Sequence, residues 1–109
     1  MAHDLLALAA PPTAVFAYSD TMAFGALEAA QQCHITVPDQ LSVIGFDDVE
    51  IAQHFRLSTI RQPLYETGAR GAELLLELLD SDVSRPAPHI VLPTELVARH
   101  TTAPPAANP

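Results

Sequence analysis

Apolar and polar positions along the chain switch repeatedly between the spacing of a buried strand and that of an amphipathic helix. Ala14-Val15-Phe16-Ala17-Tyr18 is a nearly continuous apolar run, the pattern of a strand covered on both faces. Ala23, Ala26, Leu27 and Ala30 then recur at helical spacing, predicting a helix over Thr21 to Cys33 capped by Ser19-Asp20, with small residues on its inner face. Val37-Pro38-Asp39-Gln40 reads as a turn and Leu41 to Gly45 as a second buried strand, ended by Gly45 and followed by an Asp47-Asp48 loop. A short helical turn is expected over Val49 to Phe55 and a third strand over Ser58 to Arg61. Pro63 suits the first turn of a helix. The stripe Leu64, Gly68, Ala72, Leu75, Leu76 and Leu79 carries that helix to about Asp80. Ser81 to Pro88 is read as a loop, His89 to Leu92 as a fourth strand, and Leu96-Val97-Ala98 as a brief pairing segment. At the ends, His3 to Ala10 looks like a short helix stopped by Pro11-Pro12, and Thr101 to Pro109 like a disordered tail. Strands alternating with helices imply parallel βαβ units, so the fold class is α/β.

Composition narrows the function classes. The chain has 109 residues, enough for one modest domain, and a formal charge of −8 from 13 acidic residues against five basic ones, all arginine. So acidic a surface repels a phosphate backbone, and DNA binding by this chain alone is not expected. Cys33, the one cysteine, has no internal disulfide partner and reads as a packed helical residue. No basic region followed by an apolar run opens the sequence, and no apolar run approaches the ~20 residues of a membrane span.

Signatures of catalysis are missing. There is no G-x-S-x-G nucleophile turn, no phosphate loop and, with four glycines, no Gly-rich dinucleotide turn. The five histidines are dispersed with no metal-ligand spacing, so neither a metal nor another cofactor is expected, nor an enzyme. The pair Asp47-Asp48 stands out because it sits at the carboxyl end of a parallel strand, where open α/β sheets bind ligands. Carboxylates there can bind a metal, act as acid and base, or accept hydrogen bonds from sugar hydroxyls. The plainer reading has Asp48 capping the following turn. Ser19-Asp20 lies at the same end of the sheet, with Asp20 read as a helix cap.

In order along the chain, P-T-A-V-F-A-Y-S-D-T-M-A-F-G (Pro12 to Gly25), V-P-D-Q-L-S-V-I-G-F-D-D (Val37 to Asp48), L-S-T-I-R-Q-P (Leu57 to Pro63) and L-P-T-E-L-V-A-R (Leu92 to Arg99) together resemble the LacI/GalR family of transcriptional regulators. The resemblance covers roughly residues 12 to 100. It implies a partial periplasmic-binding-protein-like (type I) fold, the last third of a regulator whose helix-turn-helix headpiece lies outside this chain. Residues 1–62 and about 89–100 would form the C-terminal subdomain. Residues about 63–88 would be a helix of the N-terminal subdomain, with 101–109 the disordered tail. Such a piece by itself is expected to be unstable, compact but dynamic, or associated.

By the same resemblance, Ser19, Asp47 and Gln62 contact a small-molecule effector, a sugar or a nucleobase-like compound. Ser19 replaces the family's usual Asn, with shorter reach. His34 stands where the family commonly has a helix-ending Gly, and Phe55-Arg56-Leu57 is shorter than the usual stretch. Phe24, Ile51 and Phe55 are homodimer-interface candidates, ordinary core packing being the alternative. The implied protein is cytoplasmic, bound to no membrane, and reaches DNA through its headpiece. The competing reading is a periplasmic sugar-binding protein of an ABC transporter.

Overall fold

β2 (Ser42–Asp47) is the strand around which the first part of the molecule is organised in the computed structural model, which describes residues 2–80, 86 and 88–105. β1 (Ala14–Phe16) and β3 (Ser58–Arg61) flank it in parallel, and β4 (Glu95–Val97) adds antiparallel to β3, giving the order β1-β2-β3-β4. The helices are α1 (Ala2–Leu6), α2 (Asp20–Gln32), α3 (Glu50–His54) and α4 (Leu64–Asp80). The chain divides into two compact units, residues 1–61 with 95–109 and residues 62–94.

In the first unit, the small face expected of α2 lies on the sheet. Ala23, Ala26 and Ala30 are buried and join Ala17, Leu41, Val43, Ala52 and Leu57 in one apolar core. Alanine brings the helix axis close to the strands, and Gly45 completes the approach. A Cβ at Gly45 would run into the Asp20 side chain and come within 3.1 Å of Asp20 Cα and Leu57 Cδ2. Gly45 therefore does not end its strand. β2 continues through it to Asp47, and the glycine is needed because α2 begins directly above it.

The opposite face of the sheet carries Phe16, 66% exposed, edge-on to Phe46 with ring centroids 6.4 Å apart. Parallel sheets are ordinarily covered on both faces. Here the helices of the first unit cover one.

The second unit is built on α4. Its periodic stripe is present, but no residue of α4 is buried: Leu75 and Leu79 are 65% and 81% exposed.

Several expectations need correction. His89 to Leu92 forms no regular strand, and the fourth strand is Glu95–Val97, at the site of the expected brief pairing. Extended pattern is not pairing; Arg61, Ile60 and Thr59 offer β3's free edge to Glu95, Leu96 and Val97 instead. The tail is not disordered from Thr101. Thr101 is buried, donating to Val43 O at 2.6 Å and accepting from Ser58 N at 2.9 Å, while Ala103 N donates to Ser42 Oγ at 3.1 Å. The segment satisfies backbone groups of β2 and β3 that would otherwise be buried unpaired. The loop expected at 81–88 lies outside the described residues apart from 86 and 88, as does the tail's end, 106–109. Cys33 is exposed, not packed; it is the C-cap of α2, 3.5 Å from His3 Nδ1. His34 does adopt the left-handed conformation, at φ 56°.

Candidate functional site

The carboxyl ends of β1 and β2 lie side by side, because these strands pair in parallel register from Ala14↔Ser42 to Phe16↔Ile44. Ser19 follows the first strand and Asp47 ends the second. Ser19 is half-buried and is the true N-cap of α2: its Oγ accepts from Met22 N at 3.3 Å. As a hydroxyl it still carries an O–H to donate. Asp47, also half-buried, has φ 113°, and Asp48 follows at φ 58°. Two successive non-glycine residues with positive φ turn the chain sharply off the end of β2 and are held only by surrounding structure. Gln62 opens the second unit, directly after Arg61. Two of the three sequence-derived contacts therefore share one edge of the first unit's sheet, and the third follows the end of a strand of that sheet in sequence.

Asp20 is not the cap. It is the first residue of α2 and fully buried, accepting from the Thr59 hydroxyl at 2.5 Å and from Val49 N at 2.8 Å. One carboxylate thus joins the start of α2, β3 and the segment after Asp48. A buried polar group is tolerated where hydrogen bonds replace water, and both oxygens are engaged here.

Nor does Asp48 cap α3, whose N-cap is Val49 with no side-chain bond. Its side chain, 9% exposed, instead accepts from Arg99 Nη2 at 2.6 Å and Arg61 Nε at 2.7 Å. Arg99 also donates Nη1 to Leu57 O at 2.7 Å, and Arg61 Nη1 reaches Glu95 Oε2 at 3.1 Å. Burial pushes the Asp48 carboxyl upward, but the hydrogen bonds and charges of Arg99 and Arg61 outweigh it and hold it below its ordinary value of 3.8. A depressed carboxyl stabilises the fold above its unfolded value and loses that contribution as pH falls through the folded one. In chemical denaturation, Asp48→Asn is expected to cost about 1 kcal/mol near neutral pH, modest because Arg61 is half exposed. The difference from wild type should shrink as pH falls below about 4; a gap that stays constant down to pH 3 would show that the charge on Asp48 is not what matters.

Sequence reasoning missed Arg61 and Arg99 as partners of this loop, and Glu95 as a partner of Arg61. Arg61 and Arg99 stand in the motifs quoted above, yet they are 13 and 51 residues from Asp48, and no local pattern announces contacts at such range. Among the described residues no group of His, Cys, Asp and Glu is arranged to hold a metal ion, and no helix is long and apolar enough to cross a membrane.

The interface candidates sit elsewhere in the first unit. Phe24 and Phe55 stack at a tilt with centroids 4.9 Å apart, Phe24 half-buried against the core. Phe55 and Ile51 are 55% and 50% exposed.

A family model describing a periplasmic binding protein-like domain matches residues 1–102. Among curated proteins, the chain is 44% identical over 97 residues to a probable HTH-type transcriptional repressor, ExuR, of Bacillus subtilis, covering 87% of this chain and 29% of the relative. It is 48% identical over 77 residues to the HTH-type repressor CytR of Escherichia coli, covering 69% and 23%. The chain thus spans less than a third of the length of these relatives. Among solved structures, a LacI transcriptional regulator from a Rhodococcus species superposes with TM-score 0.84 at 34% identity, over 94% of this chain and 38% of that one. The lac repressor dimer bound to operator and an anti-inducer gives TM-score 0.82 at 31% identity, over 93% and 35%. A LacI-family regulator from Enterococcus faecium with bound ribose gives TM-score 0.78 at 32% identity, over 94% and 38%. On the match over residues 1–102 and these likenesses, the chain belongs to the periplasmic-binding-protein-like domain family, in its LacI-type regulator branch.

Proposed function

We propose that this chain is the effector-binding and dimerisation portion of a ligand-responsive transcriptional regulator, a repressor, that senses a sugar or a nucleobase-like polar metabolite. The observation that carries the reading is the placement of Asp47 at the carboxyl end of a parallel strand, beside the end of β1 from which Ser19 continues. That edge is where open α/β sheets take ligands. In this reading the Asp47 carboxylate accepts from ligand hydroxyls or ring N–H groups, the Ser19 hydroxyl donates, and Gln62 does either. Residues about 63–88 belong to an N-terminal subdomain whose sheet is supplied by the rest of a longer protein, a reading supported by the bare apolar stripe on α4. Phe24, Ile51 and Phe55 form part of a homodimer interface, supported by the exposed apolar surface of Ile51 and Phe55 beside the Phe24 ring. DNA is reached through a separate headpiece, as the acidic charge requires, and the protein works in the cytoplasm as a binding protein, not an enzyme.

Control is by population shift: an effector with different affinities for two arrangements of the regulator biases them, and with them operator affinity. The intact protein is therefore expected to bind DNA upstream of its own operon in a mobility-shift titration. One compound from a panel of sugars, nucleosides and nucleobases should change that affinity, by about fivefold to 150-fold if the coupling is of ordinary size. A compound that binds tightly yet leaves operator affinity untouched, or a protein that binds no DNA, would favour a transport-type binding protein instead.

A further inference from the structure

Asp47, Arg61 and Glu95 stand in one row across the sheet, Asp47↔Arg61 in β2·β3 and Arg61↔Glu95 in β3·β4. Arg61 is the last residue before the chain leaves the first unit, and Glu95 is the first on its return. Arg61 also links the residue after this row's Asp47 to Glu95 by charge, through Nε on Asp48 at 2.7 Å and Nη1 on Glu95 at 3.1 Å. The Asp47-Asp48 turn it holds is built from positive-φ residues, a conformation that needs outside support.

We propose that Arg61 is a positioning residue for the Asp47 turn: its guanidinium fastens that turn to the two strand ends at which the chain departs for and returns from the second unit. Arg99 holds the other Asp48 oxygen from a largely buried position, 17% exposed and bonded also to the Leu57 carbonyl. Arg61 differs in being half exposed and attached at its far side to an exposed carboxylate, at the mouth of both crossings. A shift of either crossing strand at its end therefore pulls on the turn, and a ligand seated on Asp47 pulls on the crossings. This deepens the effector reading and rests on it for its functional meaning, but the mechanical link is testable without any ligand.

The test is hydrogen–deuterium exchange on the intact, ligand-free protein, comparing wild type with Arg61→Gln, Arg61→Lys and Glu95→Gln. Arg61→Gln is expected to speed exchange in a peptide spanning 46–50 by about tenfold, with peptides from the α2 face at 23–30 changed less than about twofold. Arg61→Lys, which keeps the charge and one contact, should recover most of the protection, and Glu95→Gln should give a smaller rise in the same peptide. Unchanged exchange at 46–50, an equal rise at 23–30, or a lysine variant no better than glutamine would each overturn the proposal. Should Arg61→Gln fail to fold, a Glu95→Gln protein without the local rise would overturn it as well. Because exchange is read without ligand, loss of this link leaves the effector reading of Asp47 standing, and the reverse holds too.

Discussion

Asp20→Ala should cost about 3 kcal/mol of folding free energy, the largest stability loss expected from a single polar side chain in this protein. Asp20 is fully buried, and its carboxylate accepts the Thr59 hydroxyl and the Val49 amide. Truncation leaves both donors without a partner in the interior, at roughly 1–3 kcal/mol each, and opens a void under the first turn of α2. The urea midpoint should fall by more than about 1 M at slopes ordinary for a small protein. Asp20→Asn keeps the volume and one acceptor oxygen, so it should fall between alanine and wild type. Were alanine to shift the midpoint by less than about 0.3 M, Asp20 would not be the joint between α2, β3 and the Asp48 loop.

The second large effect is on binding. Asp47→Ala removes the one carboxylate placed at the ligand edge of the sheet whose neighbour, Asp48, is already committed to two arginines. A hydrogen bond from a ligand to an ionised group is worth about 1.5–3 kcal/mol, which corresponds to a tenfold to 150-fold loss of affinity. The variant is expected to fold, since the turn keeps the two arginine contacts made through Asp48. Ser19→Ala should cost less affinity and more stability, because the same Oγ caps α2.

What was legible beforehand follows from how far each signal reaches. The apolar run at Ala14 to Tyr18, the alanine spacing of α2 and the stripe of α4 are local patterns, and each produced its element. The strand-end positions of Ser19 and Asp47 followed from those same elements. Residues whose role depends on a distant partner were misread or missed. Asp20 looked like a cap because Ser and Asp are interchangeable as caps, yet position alone decides that Ser19 takes the role and Asp20 turns inward over Gly45. Gly45 looked like a strand terminator, but it has no positive φ and serves close approach. Asp48 looked like half of an acidic pair, but Arg61 and Arg99 neutralise it from β3 and the segment after β4. Thr101 was lost in a Pro- and Ala-rich tail because nothing in its neighbourhood reveals that Ser58 and Val43 need its hydroxyl.

In the proposed function, the edge formed by the ends of β1 and β2 is half of an effector site, with Asp47 its principal acceptor. The direct measurement is calorimetric titration of the intact wild-type and Asp47→Ala proteins with the compound that most raises the wild-type melting temperature in a screen of sugars, nucleosides and nucleobases. Asp47→Ala is expected to bind with a Kd at least about tenfold weaker. Equal affinities for the two proteins would contradict it and remove Asp47 from the site.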